Sequence, residues 1–311
     1  MHHPIDPKID CVFKALLGSE SNRALLIHFL NAILGADLGV PIVWVDILNP
    51  YNDKEFLDDK LSIVDVKARD ERGRLHQIEI QLLSYRDLPA RILYTWADLY
   101  SSQLHSGEDY RSLQSTYAIW LLGEDLLADT ADYVHDFRLR DAHGRCLLDH
   151  GGIWLLELNK FQTEQVQTER ERWLKFFKDG ERLDAAALPT WMQTAEMRQA
   201  MSTLKTFSEK DRAYHAYQAR QNYLREQRSI QRHLDELRAE AEQAQAETTR
   251  AQAETARAQA EATREREAAE RERATATLER AAREEERAEK EAALAEIERL
   301  KAQLHGRSHT E

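Results

Sequence analysis

Apolar positions recur at three- and four-residue spacing from residue 9 to 34, with Val12, Phe13, Leu16 and Leu17 followed by Leu25, Leu26, Phe29, Leu30 and Ile33. That period places them on one face of a helix. Gly18 and Ser19 divide the stretch into two helices, and Gly35 takes the position of a glycine that closes the second. The period then shortens to two. Residues 41–48 are apolar and β-branched, and Asn49, Pro50, Tyr51, Asn52 and Asp53 form a turn cluster. Residues 61–68 and 75–82 alternate as strands, and the short connection from Asp70 to Gly73 predicts that they pair as an antiparallel hairpin. Helical spacing returns over 88–104, with Pro89 in the first turn and Gly107 past the end. Residues 117–122 read as a short buried strand, and 133–139 and 153–158 as two more on either side of a turn at Asp141 to Gly144. Helices follow over 163–178 and 188–206.

Ser208, Glu209, Lys210 and Asp211 have the form of a capping box opening a last helix. From there to Leu304 the chain has no proline and no glycine, enough for a helix on the order of 145 Å long at 1.5 Å per residue. Within it Ala-Gln-Ala-Glu begins three successive heptads at Ala244, Ala251 and Ala258, each ending in Arg. Glu247, Glu254 and Glu261 stand three residues before Arg250, Arg257 and Arg264, a spacing that favours helix-stabilising ion pairs. The repeat supplies only Ala and Thr for a coiled-coil seam. Leu234 and Leu237 at one end, and Leu294, Ile297, Leu300 and Leu304 at the other, are better seam residues. The expectation is a helix that joins copies of the chain near its ends; a solvated single helix, frayed in its middle, is the alternative.

Composition changes with the pattern. Leu, Ile, Val and the aromatics are abundant to about Gln218 and then give way to Ala, Glu, Arg and Gln. This predicts a globular domain over 1–207 and a long charged helix over 208–311. The formal net charge of -12 argues against a broad basic surface for nucleic acid, though not against a local basic rim. Cys11 and Cys146 lack zinc-ligand neighbours and read as ordinary half-buried thiols in a reducing compartment. No apolar run approaches the roughly 18 residues of a membrane span, and the first residues lack the apolar stretch of a secretion signal. These features lead to the expectation of a soluble cytoplasmic protein.

Chemistry becomes arguable at the hairpin. Side chains alternate across a strand, so Ile63, Asp65 and Lys67 share one face, as do Gln77, Glu79 and Gln81. A three-residue connection at Glu71 to Gly73 sets Asp65 opposite Glu79, and opposed residues have Cβ atoms roughly 4.5–5.5 Å apart. Two carboxylates so close repel unless a proton or cation lies between them, and a hard divalent ion, Mg²⁺ first, suits oxygen ligands. The alternative is a solvent-facing pair balanced by Lys67 or an arginine. The histidines are scattered without ligand spacing, and Trp44, Trp96 and Trp154 sit in apolar patterns that suggest core residues.

Asp65, thirteen intervening residues, then Glu79, Ile80 and Gln81 resemble the Asp…Glu-x-Lys motif of PD-(D/E)XK nucleases, with Gln in the Lys position. The ordered series Asp10-x-x-Phe13-Lys14, Phe29-Leu30-Asn31, Lys60 to Lys67, Ile78 to Gln81, Arg91-x-x-Tyr94, Tyr100 and Gly107-x-x-Tyr110 resembles the recombination-promoting nuclease and transposase family of that superfamily. The likeness covers roughly the first 125 residues. It implies an α/β fold with a mixed sheet flanked by helices, and a Mg²⁺-dependent endonuclease (Mn²⁺ as substitute) acting on DNA. It further implies that Asp65, Glu79 and the Ile80 carbonyl ligate the metal, and that Asp10 approaches it from the first helix. Read by itself, Asp10 is equally a helix N-terminal residue favoured by the dipole. Gln81 can orient a water but brings no charge, leaving Lys67 as the nearest cation. Arg91 and Tyr94, one helical turn apart, are placed to contact phosphate, with Tyr94 as a core residue the alternative. Two other readings stay open: a catalytically degenerate nuclease fold serving as an assembly or nucleic-acid-binding module, and a defence-type nuclease with a defined target.

Overall fold

Two helices, α1 (Asp10–Leu17) and α2 (Arg23–Leu38), lead into the sheet. The computed structural model describes residues 4–49, 65–184 and 186–307, so residues 61–64 of the expected strand and 50–53 of the turn cluster lie outside the described residues. Gly18 ends α1 as the sequence indicates, but α2 runs through Gly35 and stops at Gly39, whose φ of 66° favours a residue without a Cβ. Leu38 is buried, and the apolar period simply continues one turn further than expected.

The strands are β1 (Val45–Ile47), β2 (Asp65–Asp70), β3 (Leu75–Gln81), β4 (Thr116–Leu122), β5 (Val134–Phe137) and β6 (Gly151–Glu157). They form one six-stranded mixed sheet in the order β1-β2-β3-β4-β6-β5. β3, β4 and β6 are mutually parallel, and the outer pairs are antiparallel. Helix α3 (Leu88–Ser101) makes the crossover from β3 to β4. It packs Leu88 and Ile92 against Ala118, Trp120, Leu122, Ile153 and Leu155 on one face. The other face presents Val66, Ala68, Ile78, Ile119, Leu121, Trp154 and Leu156 to α1, α2, α4 (Glu169–Asp179) and α5 (Ala195–Glu209). With both faces covered, β4 and β6 are apolar at nearly every position, as buried parallel strands require. Phe29 stands edge-on to Trp173 at 5.4 Å and Phe13 lies 5.5 Å from Phe177, which ties α1 and α2 to α4.

Three expectations are corrected. Ser208 does not cap the last helix: it lies in the final turn of α5, its hydroxyl donating to the Lys205 carbonyl at 2.7 Å, and α6 (Asp211–Arg307) begins after Lys210. The break at Lys210 lets both helices bury apolar residues, Phe207 before it and Tyr217 after it. Trp44 is 47% exposed, with the Arg23 guanidinium 3.9 Å above its ring, because the short edge strand β1 leaves it outside the core. The cysteines are not half-buried: Cys11 is buried, where burial pushes its thiol pKa up, and Cys146 is exposed.

The chain divides into two compact units, Met1–Ile230 and Gln231–Glu311. The first therefore takes in the opening turns of α6, beyond the boundary at 207 that composition suggested. Tyr217 is buried there, its hydroxyl accepting the Asp6 amide at 3.0 Å, and Leu224 packs on the same core. In the second unit residues 231–301 are exposed along their whole length. Thr248, Thr255 and Thr263 turn their hydroxyls back to carbonyls four residues earlier. Among the described residues no ion pair joins Glu247, Glu254 or Glu261 to the arginines three residues on; pairs close instead at Glu286–Lys290 and Glu298–Lys301. No described helix is long and apolar enough to cross a membrane.

Candidate nuclease centre

The hairpin turn fixes what lies at the far end of its strands. Gly73, with φ 80°, donates to the Asp70 carbonyl at 2.9 Å, and the Asp70 amide donates to the Arg74 carbonyl at 3.1 Å across a three-residue loop. Asp70 holds that loop with its side chain. Oδ1 accepts the amides of Arg72 and Arg74 at 2.9 and 3.0 Å, and Oδ2 accepts Arg74 Nε at 2.6 Å and His76 Nε2 at 2.9 Å. Because side-chain direction has a period of two, a slip of one residue would reverse every face. The observed register sets Asp65 against Glu79, Lys67 against Gln77 and Ala68 against His76.

Glu79 is 3% exposed, so the expectation of a solvent-facing carboxylate does not hold for it. Gln77 Nε2 donates to its Oε1 at 2.5 Å and Arg91 Nη2 to its Oε2 at 3.0 Å. Arg91 comes from the end of the first turn of α3, and its Nη1 also reaches Gln81 Oε1 at 3.2 Å and the Tyr85 hydroxyl at 3.0 Å. Gln81 Nε2 donates to the Leu83 carbonyl at 2.8 Å. A buried carboxylate needs a compensating charge and hydrogen bonds, and Arg91 and Gln77 supply them.

The remaining sequence candidates fall in different places. Lys67 is half-buried on β2, its amide held by Asn49 Oδ1 at 2.6 Å. Ile80 lies between Glu79 and Gln81 on β3, paired with Leu121 of β4. Tyr94 is 70% exposed on α3 and is not a core residue. Asp10 belongs to α1, which packs on the core face lined by Val66 and Ile78, the face opposite to Glu79. Its carboxylate meets Arg220 Nε at 3.1 Å and the Cys11 amide at 2.8 Å. Burial raises its pKa, against the pull of Arg220. The resemblance brings Asp10 toward a metal; in the structure its carboxylate faces Arg220 of α6.

A sequence model of PD-(D/E)XK nuclease family transposases matches residues 7–234. The chain belongs to that family. The match extends well beyond the 125 residues that carry the resemblance and reaches into α6, consistent with the globular unit ending at Ile230. No curated protein and no solved structure matches the chain. Membership accounts for the mixed α/β sheet flanked by helices and gives the protein a nuclease or transposition role, with DNA as the family's substrate. PD-(D/E)XK nucleases usually use divalent cations. Among the described residues no group of three or more His, Cys, Asp or Glu side chains is arranged to hold a metal ion. The donor set still suits such an ion: Glu79 is a buried carboxylate that already draws a positive charge to itself, and the backbone register adds Asp65 opposite it.

Two polar clusters escaped the sequence reading. Asp70, Arg74 and His76 flank the turn, and once the hairpin register is drawn, Asp70 and Arg74 are its terminal opposed pair; that was the available signal. Glu157, at the carboxyl end of β6, accepts the amides of Leu126 and Leu127 on Oε1, and His135 Nε2 at 2.9 Å and Lys160 Nζ at 2.6 Å on Oε2. Apart from Lys160, its partners lie 22 to 31 residues away, so no local spacing announces them.

Proposed function

We propose that this protein is a metal-dependent DNA endonuclease, hydrolysing phosphodiester bonds in recombination or transposition-like processing, with its centre at Asp65 and Glu79. The observation that carries this reading is the hairpin register that opposes these two residues, with Glu79 buried, in a chain of this family. Asp65, Glu79 and the Ile80 carbonyl would hold Mg²⁺, or Mn²⁺ in its place. A divalent cation held there supplies Lewis-acid activation of the phosphodiester and of water. Gln81 orients a water by hydrogen bonds and, lacking charge and basicity, moves no proton. Lys67 contributes positive charge to the phosphate from the same face of β2. Arg91 and Tyr94 meet the DNA backbone from α3, Arg91 with the planar fork that matches phosphate.

Supercoiled plasmid incubated with the protein and Mg²⁺ or Mn²⁺ tests the reading. Nicking is expected, and it should disappear in Asp65→Ala and Glu79→Gln. The pairing of Glu79 with Arg91, together with Gln81 in the lysine position, favours a second reading: a catalytically degenerate nuclease fold that binds nucleic acid or assembles partners. The absence of cleavage with either metal would select it. A defence-type nuclease would instead cut at one fixed motif, which mapping cut sites on mixed-sequence DNA would reveal.

We also propose that the exposed helix of the second unit joins copies of the chain. Leu234, Leu237, Leu294, Ile297 and Leu300 are all at least 42% exposed, and they cluster toward the two ends of that unit. Such residues are the usual seam of a coiled coil.

A further inference from the structure

Arg91 reaches a buried acid from a position that is itself partly open to solvent. Its side chain is 24% exposed where that of Glu79 is 3% exposed, and its guanidinium lies 5.3 Å from the centroid of the Trp120 ring. Two of its three hydrogen-bond partners, Gln81 Oε1 and the Tyr85 hydroxyl, are neutral; the third is Glu79 Oε2. Tyr85, which Arg91 touches, is 40% exposed, and Tyr94, three residues along α3, is 70% exposed.

We propose that Arg91 is an internal counter-ion that competes with the divalent cation for Glu79. It neutralises the acid until the metal binds, and is then released toward a DNA phosphate. This rests on the reading of Glu79 as a metal ligand and deepens it. A carboxylate this buried is costly without a positive charge beside it, which explains why the arginine is held there. A guanidinium and a divalent cation on one carboxylate repel each other, so metal entry weakens the Arg91–Glu79 pair. The exchange leaves no acid uncompensated in either state. It also couples metal loading to the exposure of a phosphate-binding fork in a centre whose usual lysine is Gln81. The rival role, in which Arg91 only orients Glu79 for the metal, makes the opposite demand: removing the arginine would then weaken metal binding.

Mn²⁺ titration of the full-length protein without DNA, with free Mn²⁺ followed by electron paramagnetic resonance, separates the two. Wild type should bind Mn²⁺, Glu79→Gln should lose that binding, and Arg91→Met should bind about tenfold more tightly, since it lacks the competing charge. Unchanged or weaker binding in Arg91→Met overturns the competition while leaving the metal centre standing. Wild-type binding that is absent, or indifferent to Glu79→Gln, overturns the metal centre and this proposal with it. Should Arg91→Met prove unfolded by its thermal melt, Arg91→Gln serves in its place, removing the charge but keeping a donor, with the same expected direction.

Discussion

His76 Nε2 lies 2.9 Å from Asp70 Oδ2 inside the hairpin that carries Glu79, and the His76 Nδ1 on the other side of the ring is buried without a hydrogen-bond partner. That arrangement makes His76 a neutral donor to a buried carboxylate. Burial lowers the His76 pKa below its ordinary 6.5, against the hydrogen bond and charge of Asp70. For Asp70 burial acts upward but is outweighed by the hydrogen bonds from His76 and Arg74 and by the charge of Arg74, so its pKa falls below 3.8. Both folded values lie below the unfolded ones. The unfolded chain therefore binds more protons in each window, and stability falls as acid is added. The loss begins near pH 6.5 through His76 and continues below about 3.8 through Asp70. Urea midpoints should drop between pH 7 and pH 5, and the drop should be smaller in His76→Leu. Identical slopes in the two proteins would remove His76 from the account.

Asp70→Ala should be among the most damaging changes in the globular unit. It leaves Arg74 and His76 without their shared acceptor in a buried turn, a class of change that costs roughly 3–5 kcal/mol. Because the turn sets the register, nicking should also be lost in whatever fraction remains folded. Chemical denaturation gives the first quantity and the plasmid assay the second. A variant of wild-type stability and wild-type cleavage would show that the register does not depend on this carboxylate.

Glu157 makes a comparable demand at the other end of the sheet. Burial acts to raise its pKa, but Lys160, the amides of Leu127 and Leu126, and His135 hold it below 4.5. A depressed carboxylate contributes stability that is present above its unfolded pKa and is lost as pH falls through the folded one. Glu157→Gln should therefore speed amide hydrogen exchange at Leu126 and Leu127, by about tenfold for each 1.4 kcal/mol lost. Protection unchanged at both amides would mean that the segment is held by other contacts.

How much of this was legible in the sequence depended on the range of the interaction. The hairpin was readable because alternation over β2 and β3 and the glycine at 73 are local, and they fix the opposition of residues 65 and 79 without any tertiary information. The extent of α2 past Gly35 was not, because a glycine tolerated inside a helix cannot be told from one that ends it until the burial of Leu38 is known. Arg91 was singled out for a phosphate, yet its grip on Glu79 depends on how α3 docks against β3, and docking leaves no periodic trace. The pairing of Asp10 with Arg220 of α6 was equally hidden, because the two lie far apart along the chain. Composition changes gradually near the start of α6 and does not reveal that Tyr217 is buried in the core and that Leu224 packs against it.

The end of the globular unit at Ile230 leads to a pair of truncations. Ending the chain after Ile230 should leave a folded unit with a melting temperature close to that of the full chain, and light scattering should show it as a smaller particle if the removed helix joins copies. Ending it after Lys210 removes Tyr217, with its bond to the Asp6 amide, and Leu224. Burying a large apolar side chain is worth about 1.5–3 kcal/mol, so the shorter piece should melt well below the longer one. Equal melting temperatures would place the opening turns of α6 outside the stabilising core, and an unchanged number of chains per particle after the first truncation would count against assembly through the helix.

The division of labour between Lys67 and Gln81 can be resolved by kinetics. If Lys67 supplies the charge that a family lysine would bring at position 81, Lys67→Met should lower kcat by about a hundredfold, the range seen when a transition-state stabilising group is lost. KM should change little, because the interaction is strongest in the transition state. Gln81→Leu should cost less, on the order of tenfold, since only the orientation of a water and the contact with Arg91 are removed. The methionine keeps the length of the lysine stem on β2, so its register with Gln77 is retained. A Lys67→Met protein that nicks plasmid at the wild-type rate would remove Lys67 from the centre, and Arg91 would then be the cation to examine next.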